Sequence, residues 1–231
     1  MSNKKNYDSQ SFTEMTEWLQ TPLGQNLLGI EMSLLENMMN RRFGYHLLQL
    51  SCADMTVYDD SPIGHKFCIA PSTKVKNGSL VAQAEAIPLA AESVDMVVLH
   101  HALDYSKDPH QLLREADRVL IAGGHLLIIG FNPFSTWGAR HKLARRFDKS
   151  PWKSNLLSNK RLNDWLKLLD FKIEQMHYGL YSLPFNSPGL IRYSSFMGKL
   201  AQRLNWPTGG IYVISAKKQA FPMTPIREPW K

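Results

Sequence analysis

"ESVDMVVLHHALDYSKDPHQLLREADRVLIAGGHLLIIGF", residues 92–131, is the stretch that decides the fold. Met96 to Leu99 form an unbroken apolar run, the pattern of a strand covered on both faces. Asp108 then stands as a helix N-cap with Pro109 at the first helical position. Leu112, Leu113, Ala116, Val119 and Leu120 recur at helical spacing, and Gly123-Gly124 predicts the stop. "HLLIIGF" follows as a second buried strand. Strand, helix and strand joined this closely make a right-handed βαβ unit, so the sheet at this point is parallel.

The pattern continues in both directions. Upstream, "TPLGQNLLGIEMSLLENMMNRRFG" opens with Thr21 as N-cap and Pro22 at the first helical position. It sets Leu23, Leu27, Leu34, Leu35 and Met38 on one stripe, and Gly44 closes it, which predicts an amphipathic helix packed on the body. "YHLLQLSC" and "HKFCIA" read as strands separated by the turn-rich "YDDSPIGH", and the polar "PSTKVKNG" leads to the short apolar "SLVAQA". Downstream, "NKRLNDWLKLLDF" spaces Leu162, Trp165, Leu166 and Leu169 helically; "FKIEQMHY" and "GIYVISAKK" read as the last two strands. Between these strands, residues 179–210 form an insertion rich in Pro, Gly and aromatics, with Tyr181, Phe185, Tyr193, Phe196 and Trp206 as candidates to cap a cavity or pack beneath a long loop. The expected organisation is a helical segment over 1–44, a main domain over 45–217 and a Pro-rich tail over 218–231.

Composition narrows the function. At 231 residues with 44% hydrophobic content, the chain can bury one sizeable core. No apolar run is long enough to span a membrane, and "MSNKKNYDSQ" lacks the apolar segment of a signal peptide, so a cytoplasmic location is expected. Cys52 and Cys68 lie in separate apolar runs, as buried thiols do, and no His, Asp and Glu spacing has the form of a metal site. The net charge of +7 favours anionic partners, and its densest cluster, "RHKLARRFDK" at 140–149, is either a solvated helix face or a surface for nucleic acid or another acidic partner.

Three segments together resemble the class I S-adenosylmethionine-dependent methyltransferases. "AEAIPLAAESVDMVVLHHAL" looks like the approach to their fourth strand, "DPHQLLREADRVLIAGGHLLIIGFNP" like the next helix, turn and fifth strand, and "LNDWLKLLDFKIEQMHYG" like the last helix and sixth strand. The likeness runs over about residues 45–217 and is nearest the methyltransferase type 11 subgroup. It implies an α/β, Rossmann-like fold: a mostly parallel seven-stranded sheet with helices on both faces. The implied activity is methyl transfer from S-adenosylmethionine to a small-molecule or acidic acceptor.

In that family the first strand ends in a loop of the form LDLGCGTG, and here the residues are "LQLSCADM". Ser51, Ala53 and Met55 stand where glycines are expected, so freedom to reach φ > 0 and close backbone approach to a ligand are both curtailed. A residue forced into the left-handed region costs about 1 to 2 kcal/mol, whereas a micromolar ligand gains about 8 kcal/mol, so one such penalty weakens binding without abolishing it. The resemblance places cofactor contacts at Gln49, Leu50, Ser51, Cys52, Ala53, Ser72, Gln83, Ala84, Glu85, Leu99 and His100. Ser72 replaces the acid that binds the ribose hydroxyls in the family, and Gln83 replaces the adenine-side Asp. His100, His101 and Tyr105, after the fourth strand, are the candidate catalytic residues, with a histidine as base for a protonated acceptor. Ala53→Arg should then block ligand and leave the fold intact. The rival expectation is a non-catalytic protein of the same fold that binds RNA or another acidic partner through residues 140–149. A dinucleotide dehydrogenase ranks third, disfavoured by the missing glycine loop and ribose acid.

Overall fold

The computed structural model describes residues 9–70, 75–144, 151–152, 154–184, 201 and 203–220. Two helices open the chain, α1 (Ser9–Leu19) and α2 (Pro22–Met39). Thr21 caps α2, its hydroxyl accepting from the Gly24 amide. Then come β1 (His46–Ser51), β2 (His65–Ala70), the short β3 (Leu80–Val81) and β4 (Val94–His100). They are followed by α3 (Ala102–Tyr105), α4 (Pro109–Val119), β5 (Leu120–Phe131), α5 (Thr136–Ala144), α6 (Asn159–Leu168), β6 (Phe171–Gly179) and β7 (Ile211–Lys218). The strands form one seven-stranded sheet in the order β3-β2-β1-β4-β5-β7-β6, parallel except that β7 runs antiparallel to both neighbours.

Alternation along the strands decides which layer covers which face. Leu48, Leu50, Val97, Leu99, Leu126 and Ile128 meet α4 and α6 on one side. Leu47, Met96, Val98, Leu127 and Ile129 meet the C-terminal half of α2 on the other, through Leu35, Met38 and Met39. The N-terminal half of α2 and all of α1 reach past the sheet. There Met15, Leu19, Leu23 and Leu27 join Cys52, Ala53, Tyr105, Phe131, Trp137 and Ile211 in a third cluster at the carboxyl ends of β1, β4 and β5. The turn between α1 and α2 is tight: a Cβ on Gly24 would stand 2.5 Å from the Trp18 carbonyl oxygen.

One feature departs from the sequence expectation. The Gly123-Gly124 pair does not stop α4, which ends at Val119; the glycines lie inside β5, at a register shift against β4 between Val94 and Met96. Gly123 takes φ +80°, and a Cβ on Gly124 would stand 3.0 Å from the Asp95 carbonyl oxygen, so the pair permits a bulge where a side chain would not fit. The crossover from β1 to β2, residues 52–64, contains no helix, in keeping with its turn-rich sequence. It lies flat because Gln49 holds it: Nε2 donates to the Met55 carbonyl at 2.7 Å and Oε1 accepts the Val57 amide at 2.9 Å. Helix α2 covers the face that a crossover helix would have used.

Some sequence expectations fall outside the described residues: Ser72, most of the 179–210 insertion including Phe185, Tyr193 and Phe196, the tail from 221, and residues 145–150 of the basic cluster. In the described part of the insertion, the Tyr181 hydroxyl donates to the Trp206 carbonyl at 2.6 Å. Arg140, on α5, lies 5.1 Å over the Trp152 ring. Among the described residues, no helix is long and apolar enough to cross a membrane.

Candidate active site at the carboxyl edge of the sheet

Glu31 occupies a core position. The stripe Leu23, Leu27, Glu31, Leu35 runs in steps of four along α2, and the carboxylate in its middle is fully buried. It is carried to the end of β4, where His100 and His101 meet it: His100 Nε2 donates to Glu31 Oε2 at 3.1 Å, and His101 Nε2 to Oε1 at 2.7 Å. The far nitrogens are fixed as well. His101 Nδ1 donates to Asp104 Oδ2 at 2.9 Å, and that oxygen also takes the Phe131 amide at 3.0 Å. The Ser51 hydroxyl is 2.9 Å from His100 Nδ1 and donates to it when Nε2 carries the ring proton; its oxygen also accepts the Ala53 amide at 3.3 Å. The result is one chain of contacts, Ser51 to His100 to Glu31 to His101 to Asp104, with every member at 0 or 1% exposure.

The environment sets the charges. Burial alone would push the Glu31 carboxyl up, but the His101 charge and the hydrogen bonds from both rings outweigh it and hold the group at about 2. Burial opposes a charge on His101 too, yet Glu31 and Asp104 raise it to about 9. His100 goes the other way: burial lowers it despite its contact with Glu31, so it stays neutral near pH 7. Burial likewise raises Asp104 against the pull of His101. The Cys52 thiol, buried and facing the Asp104 and Glu31 charges, is pushed well above its ordinary value and is not a nucleophile. His101 holds this position in the left-handed region at φ 51°, a conformation that costs about 1 to 2 kcal/mol in a non-glycine residue. Its ring stacks on Phe131 at 4.1 Å.

The structure brings Ser51, Cys52, Ala53, His100, His101 and Tyr105 to one place. Leu50 and Leu99 lie in the core beneath them, and Gln49 is engaged with the 55–57 loop. The Tyr105 hydroxyl donates to the Pro151 carbonyl at 3.3 Å and contacts Met15 Sδ at 3.5 Å. Gln83 is exposed beyond β3 and Ala84 is buried. Glu85 Oε1 accepts from Ser106 Oγ at 2.7 Å and from the Lys107 amide at 3.1 Å, tying this segment to the turn after α3. Beside the cluster, Phe131, Trp137, His141, Pro151, Trp152 and Leu156 line an apolar recess of about 10 Å³, room for one water.

Sequence reasoning missed Glu31 and Asp104 as partners of the histidines. A signal for Glu31 was present, a carboxylate at the centre of an otherwise apolar helix stripe. Its partners lie about seventy residues away, beyond any spacing rule.

Comparisons agree with this architecture. A profile described as "Methyltransferase domain" matches residues 42–128. The uncharacterized protein YafS of Escherichia coli K12 is 33% identical over 189 residues, covering 80% of this chain and 72% of that protein. The chain belongs to one family with YafS and has the fold of the class I S-adenosylmethionine-dependent methyltransferases. Solved structures share that fold. A SAM-dependent methyltransferase of Thermotoga maritima superposes with a TM-score of 0.61 at 19% identity, over 83% of this chain and 89% of that one. A chain of the complex between the Haloferax volcanii Trm112 methyltransferase activator and a methyltransferase gives 0.63 at 16% identity, over 93% and 100%.

S-adenosylmethionine is the cofactor that the methyltransferase domain match implies. In the arrangement described, the residues do not fit it. Ser51, Cys52 and Ala53, which the sequence aligns with a cofactor loop, are each 1% exposed, and Met15, Leu19, Leu23 and Leu27 cluster with Cys52 and Ala53. Helix α1 also takes a hydrogen bond from the loop itself, the Asp54 amide donating to Thr16 Oγ1 at 2.9 Å.

Proposed function

We propose that this chain is an S-adenosylmethionine-dependent methyltransferase for a small-molecule or acidic acceptor, and that the described arrangement is its closed state, with α1 lying on the cofactor loop. The observation that carries this is the seal at Cys52 and Ala53: it is made by Met15 and Leu19 of α1 and Leu23 and Leu27 at the start of α2, while the sheet beneath has the strand order of the methyltransferase fold. Unseating α1 removes Met15, Leu19 and the Thr16 hydrogen bond from the loop, and a shift of the first turns of α2 carries Leu23 and Leu27 away with it. Each 1.4 kcal/mol by which docking of α1 is favoured lowers apparent affinity about tenfold, so a net docking of about 3 kcal/mol turns a micromolar site into one of about 100 μM. With the loop uncovered, Ser51, Cys52, Ala53, Leu99 and His100 would border the cofactor, Gln83, Ala84 and Glu85 would lie toward its adenine, and Tyr105 and His101 toward the acceptor.

Titration calorimetry with S-adenosylmethionine and S-adenosylhomocysteine tests the proposal, using the wild-type chain and Met15→Asp, in which a charge destabilises the docked helix. Binding in the range of tens to hundreds of micromolar is expected, tighter in the variant. Absence of heat at millimolar ligand in both refutes it. The second reading, a non-catalytic protein binding RNA or another acidic partner, is favoured by the same sealed loop together with the net charge of +7. Binding to RNA with a steep salt dependence, lost when Arg140, Arg145 and Arg146 are neutralised, distinguishes it.

A further inference from the structure

We propose that Glu31, His100 and His101 form a binding site for one borderline transition-metal dication of the Zn²⁺ type, clasping α2 to the end of β4. One donor atom from each residue lies within 4.8 Å of the others, and all three residues are buried. Both imidazoles turn Nε2 toward the same carboxylate, and each Glu31 oxygen faces a different ring. Two imidazole nitrogens and a bidentate carboxylate supply four donors, the number of a closed structural site. Imidazole with carboxylate selects Zn²⁺, Co²⁺ or Ni²⁺ over Mg²⁺ and Ca²⁺, which take oxygen ligands.

The surroundings carry the inference further than the three ligands alone. A metal-binding histidine is usually held through its other nitrogen by a carboxylate or another acceptor, which fixes the ring and its tautomer. His101 Nδ1 is held this way by Asp104, itself anchored on the Phe131 amide; His100 Nδ1 lies 2.9 Å from Ser51 Oγ, which accepts from it in the tautomer that leaves Nε2 free for the metal. A second, independent observation is the charge. Glu31 and Asp104 are fully buried, and among the described residues no Lys or Arg bonds to either of them. Asp104 Oδ1 is buried with no hydrogen-bond partner at all. Two buried carboxylates face no cation but the histidines themselves, and a dication that displaces the Nε2 protons would sit against both oxygens of Glu31. The site also accounts for the serine at 51: a glycine there would leave His100 Nδ1 without its anchor. The inference does not depend on methyl transfer.

The test uses full-length chain purified without a metal-affinity tag. Elemental analysis is expected to find about one Zn²⁺, Co²⁺ or Ni²⁺ per chain; after chelation the unfolding temperature should fall, and Zn²⁺ but not Mg²⁺ should restore it. Co²⁺ added to the chelated wild-type protein should give the visible absorption of a tetrahedral nitrogen and oxygen site. Glu31→Gln should abolish binding and Asp104→Asn should weaken it about 10- to 100-fold. A wild-type chain that is metal-free as purified, and whose unfolding temperature and visible spectrum ignore Zn²⁺ and Co²⁺, overturns the proposal whether or not the variants fold. So does full Zn²⁺ binding by a folded Glu31→Gln.

Discussion

Replacing Ser51 by glycine, the residue the family carries there, separates two jobs of the β1 loop. The Ser51 oxygen anchors His100 Nδ1 at 2.9 Å and accepts the Ala53 amide at 3.3 Å, both in the dry interior. Leaving a buried polar atom unpaired costs about 1 to 3 kcal/mol. The longer bond to Ala53 belongs at the low end of that range, and the freed backbone adds about 0.5 to 1 kcal/mol. Ser51→Gly should therefore lose about 3 kcal/mol, roughly a 150-fold fall in the folding equilibrium constant. Ser51→Ala, which keeps the Cβ, should lose most but not all of that. Urea unfolding followed by circular dichroism reads the loss as a shift in midpoint at unchanged slope. A glycine without a Cβ should also let S-adenosylhomocysteine approach the loop, so affinity should rise as stability falls. If both variants unfold within about 0.5 kcal/mol of wild type, the hydroxyl does not hold His100 and the contact chain is not the clasp described above.

Other perturbations probe the same region. Glu31→Gln removes one partner of a buried ion pair and should cost about 3 to 5 kcal/mol, with the His101 imidazole, observed by NMR, dropping from about 9 to its ordinary value or lower. Ala53→Arg, which the sequence suggests the fold should tolerate, pushes a cation into the cluster under Met15 and Leu19 and should destabilise by about 3 kcal/mol or more, seen as a loss of soluble folded protein. In the chelated protein, stability should peak near pH 6. His101, raised to about 9, and Asp104, also raised, contribute stability that is lost as pH rises. Glu31, lowered to about 2, and His100, also lowered, contribute stability that is lost as pH falls. Thermal unfolding between pH 3 and 10 checks this, and a flat profile would contradict it.

The architecture was legible because it rests on local chemistry. Thr21-Pro22 and Asp108-Pro109 start α2 and α4 where their capping geometry demands, and the Leu-rich stretch at 47–50 and the apolar runs at 96–99 and 126–129 are the central strands. The Gly-Gly pair misled because glycine signals only permissive backbone; whether it ends a helix or bulges a strand depends on Asp95 across the sheet. The candidate site was half legible. Strand-end logic placed Ser51, Cys52, Ala53, His100, His101 and Tyr105 together, and they are. What it lacked was the occupant of the space above them. That is set by how α1 and α2 dock, and docking of amphipathic helices leaves no motif beyond the stripe itself. Glu31 in that stripe was the one residue that pointed to a buried partner.

Backbone amide hydrogen exchange with and without saturating S-adenosylhomocysteine asks most directly whether the cofactor loop lies beneath a movable helix. Ligand should slow exchange at residues 51–57 and in the same experiment speed it across α1, because the two compete for one surface. Protection confined to other parts of the chain, or no change at 51–57 with ligand demonstrably bound, contradicts the placement.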